Sequence, residues 1–102
     1  MKPMLLRREM SISHGEFLGS LVAAVAPATF HAPPTTGTGP VTITVHGAPG
    51  SVEIRMSAQR ERRIALLCLP VTDVEIELQG FSEQDYAAFM LRFDRAFQRG
   101  GG

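Results

Sequence analysis

The chain has 102 residues, a length that suits one domain and hardly two, and 44% of them are apolar, enough for a real core. Charged residues make up 20% and cancel to a net charge of zero, which excludes intrinsic disorder and argues against a general binder of nucleic acid or anionic membrane. The single cysteine, Cys68, has no CxxC or Cys/His cluster around it, so an internal disulfide and a structural zinc site are both excluded.

Residues 1–11 read as an N-terminal arm or edge strand, because Arg8, Met10 and Ile12 alternate with Arg7, Glu9 and Ser11. Lys2, Arg7 and Arg8 ahead of the apolar stretch from Phe17 to Phe30 loosely resemble a secretory signal, but Glu9, His14 and Glu16 interrupt it. The expectation is a protein kept in the cytoplasm, and no run is long enough to span a bilayer.

The stretch Ile12-Ser13-His14-Gly15-Glu16-Phe17 places serine, histidine and glutamate within four residues. Its grammar is that of a helix start. Serine followed three residues later by glutamate is a capping box, and Ile12 and Phe17 flank it as a hydrophobic staple. The same grammar returns at Phe81-Ser82-Glu83-Gln84-Asp85-Tyr86, which lacks histidine. Helix initiation explains both, so no catalytic role is assigned to Ser13, His14 or Glu16.

The first helix carries Phe17, Leu18, Leu21, Val22 and Val25 at helical spacing and should stop near Ala26-Pro27. Residues 31–40 read as a flexible loop. Four extended runs follow. Val41 to His46 points Val41, Ile43 and Val45 inward, and Ser51 to Ser57 points Val52, Ile54 and Met56 inward, with a turn between them. A third strand is expected over Arg62 to Leu69, a turn over Pro70 to Asp73, and a fourth strand over Val74 to Leu78. The last helix, Glu83 to about Arg99, lines up Tyr86, Phe89, Met90, Phe93 and Phe97, with Arg92, Arg95 and Arg99 as a basic stripe.

The expected fold is therefore α+β: a two-layer sandwich with an antiparallel sheet of four or five strands and two helices on one face, in the order (β)-α-β-β-β-β-α. In order of elements it resembles a single repeat of the TATA-binding-protein architecture. That resemblance is topological, carries no motif, and implies no activity.

The third strand gives the main functional clue. If Ile64, Leu66 and Cys68 face the core, then Ala65, Leu67 and Leu69 face outward, and Cys68 is expected to be buried. Leu67 and Leu69 would bury at most ~200 Å² between them, worth about 5 kcal/mol. The expected interaction face comprises Arg55, Arg63, Ala65, Leu67, Leu69, Glu75 and Glu77, and the expected role is a small interaction module, a homodimer or a binder of another protein.

A nucleic-acid domain using the arginines at 55–63 and 92–99 is the alternative, weakened by zero net charge and by the lack of a stacking aromatic on the open face. A small-molecule carrier or enzyme would rely on His14, His31 and His46, which read better as surface histidines. No phosphate loop, nucleophile elbow, cofactor motif or metal-ligand set is present, so no catalytic, cofactor or metal residue and no small-molecule ligand is assigned.

Overall fold

The computed structural model describes residues 4–32 and 39–98. Most of the expected 31–40 loop, and Arg99 of the basic stripe, lie outside that range. The elements are β1 (Met4–Met10), α1 (His14–Val25), β2 (Thr29–His31), β3 (Val41–His46), β4 (Ser51–Met56), β5 (Arg60–Ile64), β6 (Leu67–Gln79) and α2 (Glu83–Gln98). All strand pairings are antiparallel, in the order β1-β6-β4-β3-β2, with β5 paired to β6 alone beyond the main sheet. The α+β sandwich with the expected order of elements is present. The short strand β2 adds to it.

Both helices lie on one face of the sheet. Val41, Ile43, Val45, Val52, Ile54, Met56, Val74, Ile76 and Leu78 share one parity along their strands, and they form a single buried cluster with Phe17 and Leu21 of α1 and Phe89, Phe93 and Phe97 of α2. Phe17 joins the two helices, with its ring centroid 4.8 Å from that of Phe97 and 6.4 Å from that of Phe93. Val22 departs from the expected apolar stripe and is exposed, on the flank of α1 that neither α2 nor the sheet covers.

Both serine caps form. Ser13 Oγ accepts a hydrogen bond from the Glu16 backbone N–H at 3.2 Å and donates to Glu16 Oε1 at 2.9 Å. Ser82 Oγ accepts from the Asp85 N–H at 3.1 Å. Ile12 and Phe17 are both fully buried, as the staple requires. At the other end of α1, Arg92 of α2 donates to the Ala26 carbonyl at 2.6 Å, so one arginine of the basic stripe closes the neighbouring helix. The β3–β4 turn packs against the end of β6 so closely that a Cβ on Gly50 would sit 2.2 Å from the Gln79 carbonyl oxygen, which reserves that position for glycine.

Residues 60–79 form two strands of one hairpin, in place of the expected strand over Arg62 to Leu69, turn over Pro70 to Asp73 and strand over Val74 to Leu78. There is no third strand over 62–69 and no turn at 70–73. The turn is Ala65-Leu66, and β6 runs unbroken for 13 residues through Pro70 to Gln79. Proline is tolerated in β6 because it faces Glu61 where the strand's partner asks for no N–H. Primed two-residue turns demand a positive φ at the first central residue, and Ala65 takes φ +55° without being glycine.

Candidate functional site: an apolar β-arm beside the open sheet face

β4 and β5 are two parts of one long strand opposite β6. Met56 faces Val74 and Arg60 faces Val71, so three residues, 57–59, oppose only two. That extra residue is a β-bulge, which bends the strand and increases its twist. Ser57 anchors it: its N–H donates to the Asp73 carbonyl at 2.9 Å and its Oγ accepts from the Asp73 N–H at 3.0 Å. β1 reaches only Thr72, and β3 pairs no further along β4 than Met56. Beyond the bulge, β5 and the first part of β6 therefore run out as a two-stranded arm. The longest dimension of the molecule, 45 Å against 25 and 24 Å, reflects it.

The arm ends in carbon. Leu66 is 101% exposed, Leu67 62% and Ile64 52%. Cys68 is exposed as well, which overturns the expected buried thiol: the apolar run Ile64 to Leu69 is a projecting tip, with no core beneath it. The Cys68 thiol donates to Glu61 Oε2 at 3.4 Å, and that carboxylate pushes the thiol's pKa up.

The expected interaction face divides into three parts. Arg55, Glu75 and Glu77 stand on the open face of the main sheet. Leu67 and Leu69 share the parity of Glu75 and Glu77 along β6, and so continue that face onto the arm. Arg63 pairs with Cys68 on the opposite side of the arm, and Ala65 sits in the turn. Reasoning from sequence missed Leu66 as the most exposed apolar side chain. The available signal was the regular pairing of Arg60, Arg62 and Ile64 with Val71, Leu69 and Leu67 about a centre at Ala65-Leu66, masked because Ala-Leu is not a turn dipeptide.

Charges on the open face are matched locally. Arg55 donates to Glu53 at 2.7 Å and Glu77 at 3.2 Å and lies 3.6 Å from Glu75, while Arg7 reaches Glu75 at 2.8 Å. Hydrogen bonds from Gln79 and then Arg55 hold the Glu77 carboxyl below the usual carboxylate range. At the foot of the arm, Arg60 bridges Asp73 at 2.9 Å and Glu9 at 3.3 Å, and Arg62 also donates to Glu9. A hollow of about 450 Å³ opens here between Arg7, Glu9, Arg55 and Asp73, with Met56 and Val74 contributing to its lining.

Glu9 ties β1 to the arm, and hydrogen bonds from Arg62 and then Arg60 depress its pKa. A carboxyl whose folded pKa lies below its unfolded value stabilises the fold above the unfolded pKa and ceases to do so as pH falls through the folded one. Acidification from pH 5 to 3 is therefore expected to lower the protection factors of the Arg60 and Arg62 amides, that is, to speed their exchange relative to the intrinsic rate at each pH. In Glu9→Gln those protection factors are already low at pH 5 and change less. Equal pH dependence in the two proteins would refute the anchoring role.

His14 is not the expected surface histidine. It is 94% buried by its 6% exposure, its N–H donates to Gln59 Oε1 at 3.1 Å, and its Nε2 lies 2.9 Å from the Ser57 carbonyl, which requires the Nε2–H tautomer. His31 and His46 are exposed on the same side of the β2–β3 pair, where Thr29 faces His46 and Thr44 faces His31. Among the described residues, no group of three or more His, Cys, Asp or Glu side chains is arranged to hold a metal ion, and no helix is long and apolar enough to cross a membrane. No family model, curated protein or solved structure matches the chain.

Proposed function

We propose that this chain is a small protein-interaction module that self-associates through the β-arm and the open sheet face continuous with it. The observation that carries the proposal is the tip: three large apolar side chains more than half exposed at the end of a ribbon that the rest of the described chain contacts only at its base. An isolated two-stranded ribbon is marginal in water, and an exposed apolar cluster on one is a surface that gains by being covered. The nucleic-acid alternative has little free charge to use, because Arg55, Arg60 and Arg62 are each engaged by carboxylates of the same chain.

Light scattering over a concentration series tests the proposal. The mass is expected to rise above the 11.1 kDa of one chain. Leu66→Ser combined with Leu67→Ser should hold it there without lowering the melting temperature, since both side chains are exposed. A wild-type protein that stays monomeric at about 1 mM, the weak end of measurable association, would refute it.

A further inference from the structure

We infer that the partner is a second copy of this chain, joined edge to edge along β5 in an antiparallel register centred on Arg62. The inference rests on the self-association reading above and adds the edge and the register.

The edge follows from the hydrogen-bond pattern. In antiparallel pairs, residues that exchange both backbone bonds alternate with residues whose N–H and C=O point away. The two-residue turn makes Ile64–Leu67 a bonded pair. Arg62–Leu69 and Arg60–Val71 are then bonded, whereas Glu61–Pro70 and Arg63–Cys68 are not. Pro70 at a non-bonded position agrees with this, and its carbonyl points away from β5 to accept from Ser11 Oγ at 3.3 Å. The outer edge of β6 thus presents Pro70, which has no N–H, and cannot take another strand. The outer edge of β5 presents the N–H and C=O of Glu61 and Arg63, which pair with no other strand among the described residues.

The register follows from charge. Two β5 edges related by a two-fold axis through Arg62 bring Glu61 of each copy opposite Arg63 of the other, as bonded pairs with opposite charges face to face. Arg62 meets its own copy at the axis, where the two like charges are offset because Glu9 engages each Arg62 within its own chain. Edge pairing covers part of Ile64 and Leu66 in each copy, while Leu67 lies one strand further in on β6 and stays outside the contact. The interface is therefore smaller than the ~1,200 Å² of standard specific complexes, and the dimer is a weak, concentration-dependent one.

A disulfide reads the register. In a Cys68→Ser background, Arg62→Cys places two thiols across the axis in a non-bonded pair, with Cα atoms roughly 4.5–5.5 Å apart, within reach of a disulfide. Mild oxidation is expected to cross-link Arg62→Cys almost completely and to leave Arg60→Cys, which faces Ile64 of the other copy, as monomer. Independently, Glu61→Arg and Arg63→Glu should each weaken dimerisation on the order of tenfold, and the double exchange should restore it. A dimer by light scattering in which Arg62→Cys does not cross-link, or cross-links no better than Arg60→Cys, overturns the register and leaves self-association standing. A strict monomer overturns both.

Discussion

Phe93→Ala is expected to lower the free energy of unfolding by about 3–5 kcal/mol, the range for emptying a buried aromatic site. Phe93 has no exposed surface. Its ring lies 4.5 Å from Phe97, 6.3 Å from Phe89 and 6.4 Å from Phe17, centroid to centroid, so it touches both turns of its own helix and the facing helix. Arg8 of β1 lies over it at 5.8 Å and is held there by Asp94 at 2.6 Å. Alanine removes a ring that three aromatic neighbours and a guanidinium all use, and none of those groups can fill the space without leaving its own partners. Small domains are stable by only about 5–15 kcal/mol, so the variant should be partly unfolded at 37 °C. Phe93→Leu, which keeps most of the volume, should cost much less. Urea denaturation of both variants checks the ordering, and a loss under about 1 kcal/mol for alanine would mean that Phe93 is not at the centre of the core.

His14→Phe is expected to cost about 1–3 kcal/mol, because a buried carbonyl loses its donor. The effect should be local in a way that the Phe93 effect is not. His14 is the first residue of α1, and both of its hydrogen bonds go to residues 57–59, the bulge from which the arm departs. Phenylalanine keeps the ring and the backbone bond to Gln59 but strands the Ser57 carbonyl. Amide exchange is therefore expected to quicken at Gln59 and Arg60 well beyond what global destabilisation accounts for. His14→Gln, whose amide nitrogen can stand where Nε2 stands, should recover much of the loss. If both variants exchange uniformly along the chain, His14 is simply a core residue and has no hold on the arm.

The connection matters for the proposed contact. An arm of two strands has few internal restraints, so its direction is set at its base. Three sets of contacts meet there: His14 and Gln59, Ser57 and Asp73, and the cluster of Glu9, Arg60 and Arg62. They draw on α1, β1, β5, β6 and the bulge between β4 and β5. A change at any of them is expected to alter where the tip points relative to the open face, and so to affect association without touching the surface that associates.

Helix starts and the inward faces of β3, β4 and the second half of β6 were legible because each depends on residues close in sequence. Ser13 and Ser82 cap the helices that follow them, and strict alternation places Val41, Ile43, Val45, Val52, Ile54 and Met56 on one side whatever the rest of the chain does. Tertiary structure alone decided the fate of Ile64 to Asp73. A run of apolar residues signals burial only when a neighbouring strand or helix exists to cover it, and β1 and β3 end before they reach the arm. The same absence of neighbours leaves Cys68 in solvent and lets Pro70 sit inside a strand. His14 shows the reverse case: its position in a helix start was readable, but its burial depended on Ser57 and Gln59, more than forty residues away, being folded back over it.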